Sequence, residues 1–128
     1  KLVRLTQQLN DEYSFYYSPP LNETEISEIE CINNFSLPSS YKEWLMFSNK
    51  ATICGAVAEF YDIKNAINSP NYVHGDTVII GCINGDGEIV CFSKSNGTIF
   101  TNDHGEIYEV DSFDDILLGI IEQLQYRI

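Results

Sequence analysis

Val78-Ile79-Ile80-Gly81-Cys82-Ile83-Asn84-Gly85-Asp86-Gly87-Glu88-Ile89-Val90-Cys91-Phe92-Ser93 is the stretch whose reading decides the fold of this chain. Residues 78–83 form a nearly continuous apolar run of strand length, as expected of a strand covered on both faces. Asn84 to Gly87 supplies the turn chemistry of a hairpin, and Glu88 to Ser93 returns as its second strand. Ser95-Asn96-Gly97 makes another turn. Thr98 to Thr101 and Glu106 to Val110 then complete a meander, separated by Asp103-His104-Gly105.

Working outward, the strongest helix signal lies after the meander. Ser112 and Asp115 have the spacing of a capping box, and Phe113, Ile116, Leu117, Ile120, Ile121 and Leu124 repeat at helical spacing. Upstream, residues 53–60 read as one strand and residues 62–67 as a turn or short helix. Pro38 suits the first turn of a helix whose Tyr41, Trp44, Leu45 and Ser48 share a face. Trp44, the single tryptophan, reads as a core anchor, with a binding hot spot as the alternative. Before it, Asn22 with Glu25 makes a second capping box, Leu21 can staple to Ile26, and Ile26, Ile29 and nearby Ile32 supply the apolar face. Leu2, Leu5 and Leu9 predict a short helix over residues 1 to about 11. The aromatic tract Tyr13 to Pro20 breaks it and is expected to cover a core edge, or otherwise to form a recognition surface. This order of elements predicts a single α+β domain over residues 1–128: N-terminal helices, a mainly antiparallel meander sheet and a C-terminal amphipathic helix.

Composition narrows the function classes. A chain of 128 residues suits one domain and buries roughly two-thirds of its unfolded surface without needing a metal or disulfide. No apolar run reaches the roughly 20 residues of a membrane-crossing helix, and no basic-then-apolar leader opens the chain. It begins with Lys1 instead of Met, which leaves room for a removed N-terminal segment. Cysteines at 31, 54, 82 and 91 include no CxxC pair. They read as reduced, partly buried thiols of a cytoplasmic protein, not as zinc ligands. The sequons at Asn22, Asn34 and Asn96 matter only in a secreted protein. A net charge of −12 disfavours direct binding to nucleic acid or to an anionic membrane, and makes a basic protein partner plausible.

The motifs of catalysis are missing. Aligning Gly87 with the invariant glycine of a calcium loop puts Cys82 and Ser93 where carboxylates belong, so that match fails. Asp103-His104-Gly105-Glu106 places an imidazole between two carboxylates, yet no nucleophile elbow or Cys–His signature accompanies it, and His74 sits in its own loop. No phosphate-binding glycine loop occurs. The expectation is a non-enzymatic chain without cofactor or metal.

Ile26-x-x-Ile29-Glu30 followed by Leu37-Pro38-x-x-Tyr41-x-x-Trp44-Leu45 resembles the helical entry of the SUKH superfamily. Ile79-Ile80-Gly81, the Gly85-Asp86-Gly87 turn, Asp103-His104 and Ser112-Phe113-x-x-Ile116-Leu117 follow in the family's order, so the resemblance spans about residues 22–124. Where family members often carry a glycine-containing turn after the third helix, this chain reads Asn49-Lys50-Ala51-Thr52. The superfamily includes bacterial toxin-immunity proteins and a fungal cell-wall-synthesis regulator. The resemblance therefore implies a cytoplasmic immunity protein that neutralises a cognate toxin, often a nuclease, by tight association. A regulatory scaffold for a cellular protein is the second reading. An enzyme or small-ligand binder built on the Asp103-His104 loop is the third, and it requires a concave pocket containing His104.

For a partner-binding surface, the loop carboxylates and their neighbours are the candidates: Asp86, Glu88, Asp103, Glu106 and Tyr72, with His104 beside them. The reason is that loops on a rigid sheet present adaptable polar groups. A solvated acidic surface is the alternative for each of them.

Overall fold

The computed structural model describes residues 15–53, 57–83 and 87–127. The helix expected over residues 1–11, Cys54 and the turn residues Asn84 to Asp86 lie outside them. In chain order the elements are β1 (Phe15–Tyr17), α1 (Glu23–Asn33), α2 (Ser39–Leu45), β2 (Ala51–Ile53), β3 (Ala58–Phe60), α3 (Ile63–Ile67), β4 (Val73–His74), β5 (Thr77–Ile83), β6 (Glu88–Ser93), β7 (Ile99–Asp103), β8 (Glu106–Val110) and α4 (Phe113–Arg127). The strands form one antiparallel sheet in the order β1-β2-β3-β5-β6-β7-β8, with β4 against the start of β5. This is the expected α+β architecture.

Local signals explain most boundaries. The side chain of Asn22 accepts from the Glu25 N–H at 2.8 Å, and Glu25 reaches back to the Asn22 N–H, so the capping box forms. The helix stops at Asn34, which takes the left-handed conformation. Each step of three residues falls short of a full turn, so Ile32 stands about 120° round the helix from Ile26 and is 81% exposed, unlike the buried Ile26 and Ile29. At α4, Asp115 accepts from the Asp111 and Ser112 N–H groups, while the Phe113 N–H donates to Ser40 Oγ of α2. That bond ties the two helices together at the start of α4.

Two expectations about strands are corrected. Residues 53–60 are not one strand: β2 and β3 pair with each other, Ala51 opposite Phe60. The aromatic tract contains strand β1, with Tyr17 opposite Ala51. Its position at the sheet edge makes the following prolines harmless, since an edge strand can end without completing a ladder.

The core lies between one face of the sheet and the helices. Trp44 of α2 packs on Phe60 of β3 at 5.1 Å and on Phe113 of α4 at 5.6 Å, while Tyr41 packs on Phe113 at 5.3 Å and Phe92 at 6.0 Å. Such tilted ring pairs add about 1 kcal/mol each beyond the area they bury. Trp44 is thus a core anchor, as expected, although its indole N–H has no hydrogen-bond partner among the described residues. Burial pushes the Tyr41 phenol far above its ordinary value. Asn49 closes the far end of α2. It is buried, donates to Asp62 Oδ2 at 2.9 Å and accepts from the Ile63 N–H at 3.2 Å.

Gly81 serves a close approach of strands. A Cβ there would lie 2.5 Å from the Glu59 carbonyl oxygen and 2.7 Å from the Phe60 ring. Beside it, the β5–β6 register shifts between Ile79 and Gly81, and Ile80 is fully buried in the core. Cys82 and Cys91 are buried thiols, and burial pushes Cys91 up to about 12. Cys31 is exposed.

Candidate functional site

Strand register sets the geometry of the acidic end of the sheet. Ile83 stands opposite Glu88, Glu88 opposite Asp103, and Asp103 opposite Glu106. Residues paired in this way share a face, so three carboxylates form one row across β6, β7 and β8. Like charges directly opposite are destabilising, and the row lacks a lysine or arginine. A partner cation would relieve that repulsion.

The β7–β8 connection is a two-residue turn, His104-Gly105, with φ of 55° and 99°. Positive φ at both positions matches the twist of the flanking strands and suits glycine at the second. Asn102 Oδ1 accepts from the Gly105 N–H at 2.8 Å and holds the turn. The His104 Nδ1 lies 3.3 Å from both Asp103 Oδ1 and the Gly87 carbonyl. Its side chain is 73% exposed, and the large cleft described below has no His104 in its lining. The imidazole is therefore largely solvated, and that cleft does not enclose it. Among the described residues no three His, Cys, Asp or Glu side chains converge as a metal site.

Glu88, Asp103, His104 and Glu106 thus lie together at one end of the sheet. Asp86 lies outside the described residues. Tyr72 is elsewhere: it stacks on Tyr61 at 4.8 Å, and its carbonyl accepts from the Ile79 N–H. That is four positions before Ile83, or about 13 Å along the strand from the acidic row. Burial first, and then a bond to Cys82, hold the Tyr61 phenol well above its ordinary value.

Two features escaped the sequence reading. Tyr108, on β8, donates to Glu106 and is 54% exposed; the bond to Glu106 raises its phenol. The other is an open cleft of about 1070 Å³ between residues 34–40, 94–99 and 109–112. Its walls come from three segments far apart in sequence, carrying Ser, Thr and Asn hydroxyls and amides over the apolar side chains of Phe35, Leu37 and Ile99. The 94–99 wall is fixed by Asp76, which accepts from the Ser95 N–H at 2.8 Å, from Ser95 Oγ at 2.9 Å and from Ser93 Oγ. These bonds, led by that from Ser93, hold the Asp76 carboxyl below its ordinary value.

The cleft reaches β8 at Glu109 and Val110, and the acidic row reaches it at Glu106. Strand β8 therefore links the two features along one side of the molecule. Among the described residues no helix is long and apolar enough to cross a membrane.

Residues 20–119 match the SMI1 / KNR4 family (SUKH-1), a span that includes β8, the acidic row and the whole cleft wall. No curated protein matches the chain.

Proposed function

The chain belongs to the SMI1 / KNR4 family (SUKH-1), and we propose on that premise that it is a non-catalytic protein-binding domain, a cytoplasmic immunity protein that neutralises a cognate toxin by direct association. The observation that carries this reading is the carboxylate row Glu88–Asp103–Glu106 at the end of the sheet, which no lysine or arginine pairs with among the described residues, in a chain of net charge −12. A basic toxin surface, such as that of a nuclease, supplies the cations that the row lacks. Opposite charge speeds the encounter and makes it sensitive to salt. Neutralisation then follows from covering or distorting the toxin's active site, without any reaction by the immunity protein.

The test is co-expression with a candidate toxin domain, taken from a neighbouring reading frame that encodes a large protein with a variable C-terminal domain. Growth is restored and the two chains purify together if the reading holds. Cell death with no complex sinks it. A stable complex with an endogenous cellular protein, in cells with no linked toxin, would favour a regulatory scaffold instead.

A further inference from the structure

We propose that the free edge of β8 receives an extended segment of a basic partner, which joins the sheet as an additional antiparallel strand. This rests on the protein-binding reading above and assigns it a mode and a place.

The backbone carries the inference. The turn His104-Gly105 closes on the pair Asp103 and Glu106. In a two-residue hairpin the closing pair exchanges its backbone hydrogen bonds, and bonded and non-bonded pairs alternate from there. Glu106, Tyr108 and Val110 therefore direct their N–H and C=O groups to β7. Ile107 and Glu109 direct theirs outward. Strand β8 ends the sheet, and among the described residues no strand or loop bonds these outward groups.

Natural edge strands are blunted by lysine, proline, a bulge or a covering element. Glu106-Ile107-Tyr108-Glu109-Val110 has no lysine and no proline, and it pairs with β7 without a register shift. Ile107 is 60% exposed on one face and Tyr108 is exposed on the other. Among the described residues, charge is what protects this edge. Glu106 and Glu109, with Glu88 and Asp103 alongside, repel another acidic chain, including a second copy of this one, and admit a basic one.

Side-chain register then specifies the incoming strand. Opposite Glu109, Tyr108, Ile107 and Glu106 in turn it needs a basic, an apolar, an apolar and a basic residue. The cations meet Glu109 on the outer face and Glu106 on the helix-covered face, and the two apolar residues meet Tyr108 and Ile107.

The probe is a short capped peptide, Thr-Lys-Val-Ile-Lys-Thr, titrated into the isotopically labelled full chain and followed by amide NMR and hydrogen exchange. The expected result is saturable shifts and slowed exchange at the Ile107 and Glu109 amides. The same peptide N-methylated at the residues facing the edge binds roughly fivefold to tenfold more weakly, since it has lost its donors. Ile107→Pro, which removes an outward N–H and no ladder bond, has the same effect; the N-methylated peptide keeps the test independent of that variant's folding. No response at Ile107 and Glu109, or equal binding of the N-methylated peptide, overturns the proposal. A toxin that is neutralised while these two amides exchange as fast as in the free chain also overturns it, and leaves neutralisation standing. A toxin untouched by the wild-type chain overturns neutralisation whatever the peptide does.

Discussion

Gly81 faces Phe60 across the β3–β5 ladder so closely that an added methyl would sit 2.7 Å from the ring and 2.5 Å from the Glu59 carbonyl oxygen. The backbone oxygen cannot swing aside as a flexible side chain can. Gly81→Ala therefore forces the two strands apart under Trp44, and is expected to cost about 2–3 kcal/mol. The urea midpoint of the variant measures it; an unchanged midpoint contradicts the packing described.

Asn49→Ala removes a buried side chain that bridges α2 to α3. The Ile63 N–H and the Asp62 carboxylate each lose a partner. Leaving a buried donor unsatisfied costs about 1–3 kcal/mol, so thermal unfolding should show a clear loss of stability. Leucine in place of Asn49 should not rescue it, since volume without a polar partner leaves the same donor empty.

The Asp76 network makes a pH-dependent contribution. Hydrogen bonds from Ser93 and Ser95 hold this carboxyl below its ordinary value. A depressed folded value means that the stabilisation is present above the unfolded value and lost as pH falls through the folded one. The stability gap between wild type and Asp76→Ala should thus be constant near neutral pH and should shrink below about pH 4. Urea midpoints across that range test it; a gap that widens in acid contradicts the network.

Neutralising the acidic row should separate stability from association. Glu88→Gln with Asp103→Asn removes directly opposed like charges, so folding should be unchanged or improved by up to about 0.5 kcal/mol. Association with a basic toxin should slow, with a weaker salt dependence and a smaller change in dissociation. Stopped-flow association at two salt concentrations distinguishes this from an effect on the fold.

How much of this was legible in the residues varied with how local the signal was. The Asn22–Glu25 box, the 78–83 run and the α4 periodicity are contiguous patterns, and each marks the element found there. Ile32 lies off the buried face because i, i+3 spacing drifts about 60° per step, so two steps from Ile26 carry it out of the core. Residues 53–60 read as one strand because their pattern is mainly apolar, and only the pairing of Ile53 with Ala58 places them on two antiparallel strands. At the site, the hairpin residues Asp103 to Glu106 are adjacent in sequence, and only register adds Glu88 to them. Tyr72 shares their loop character, but its loop leads into β4, about four residues along β5 from the row. The cleft was invisible because its three walls are more than fifty residues apart at the extremes and meet only through tertiary packing.

The most direct test of neutralisation by binding is to titrate the purified chain into a purified candidate toxin domain from a neighbouring reading frame and follow that domain's own activity. Toxin activity should fall to background at about one equivalent, as expected of a tight, non-catalytic complex. Full toxin activity in the presence of excess chain would contradict it.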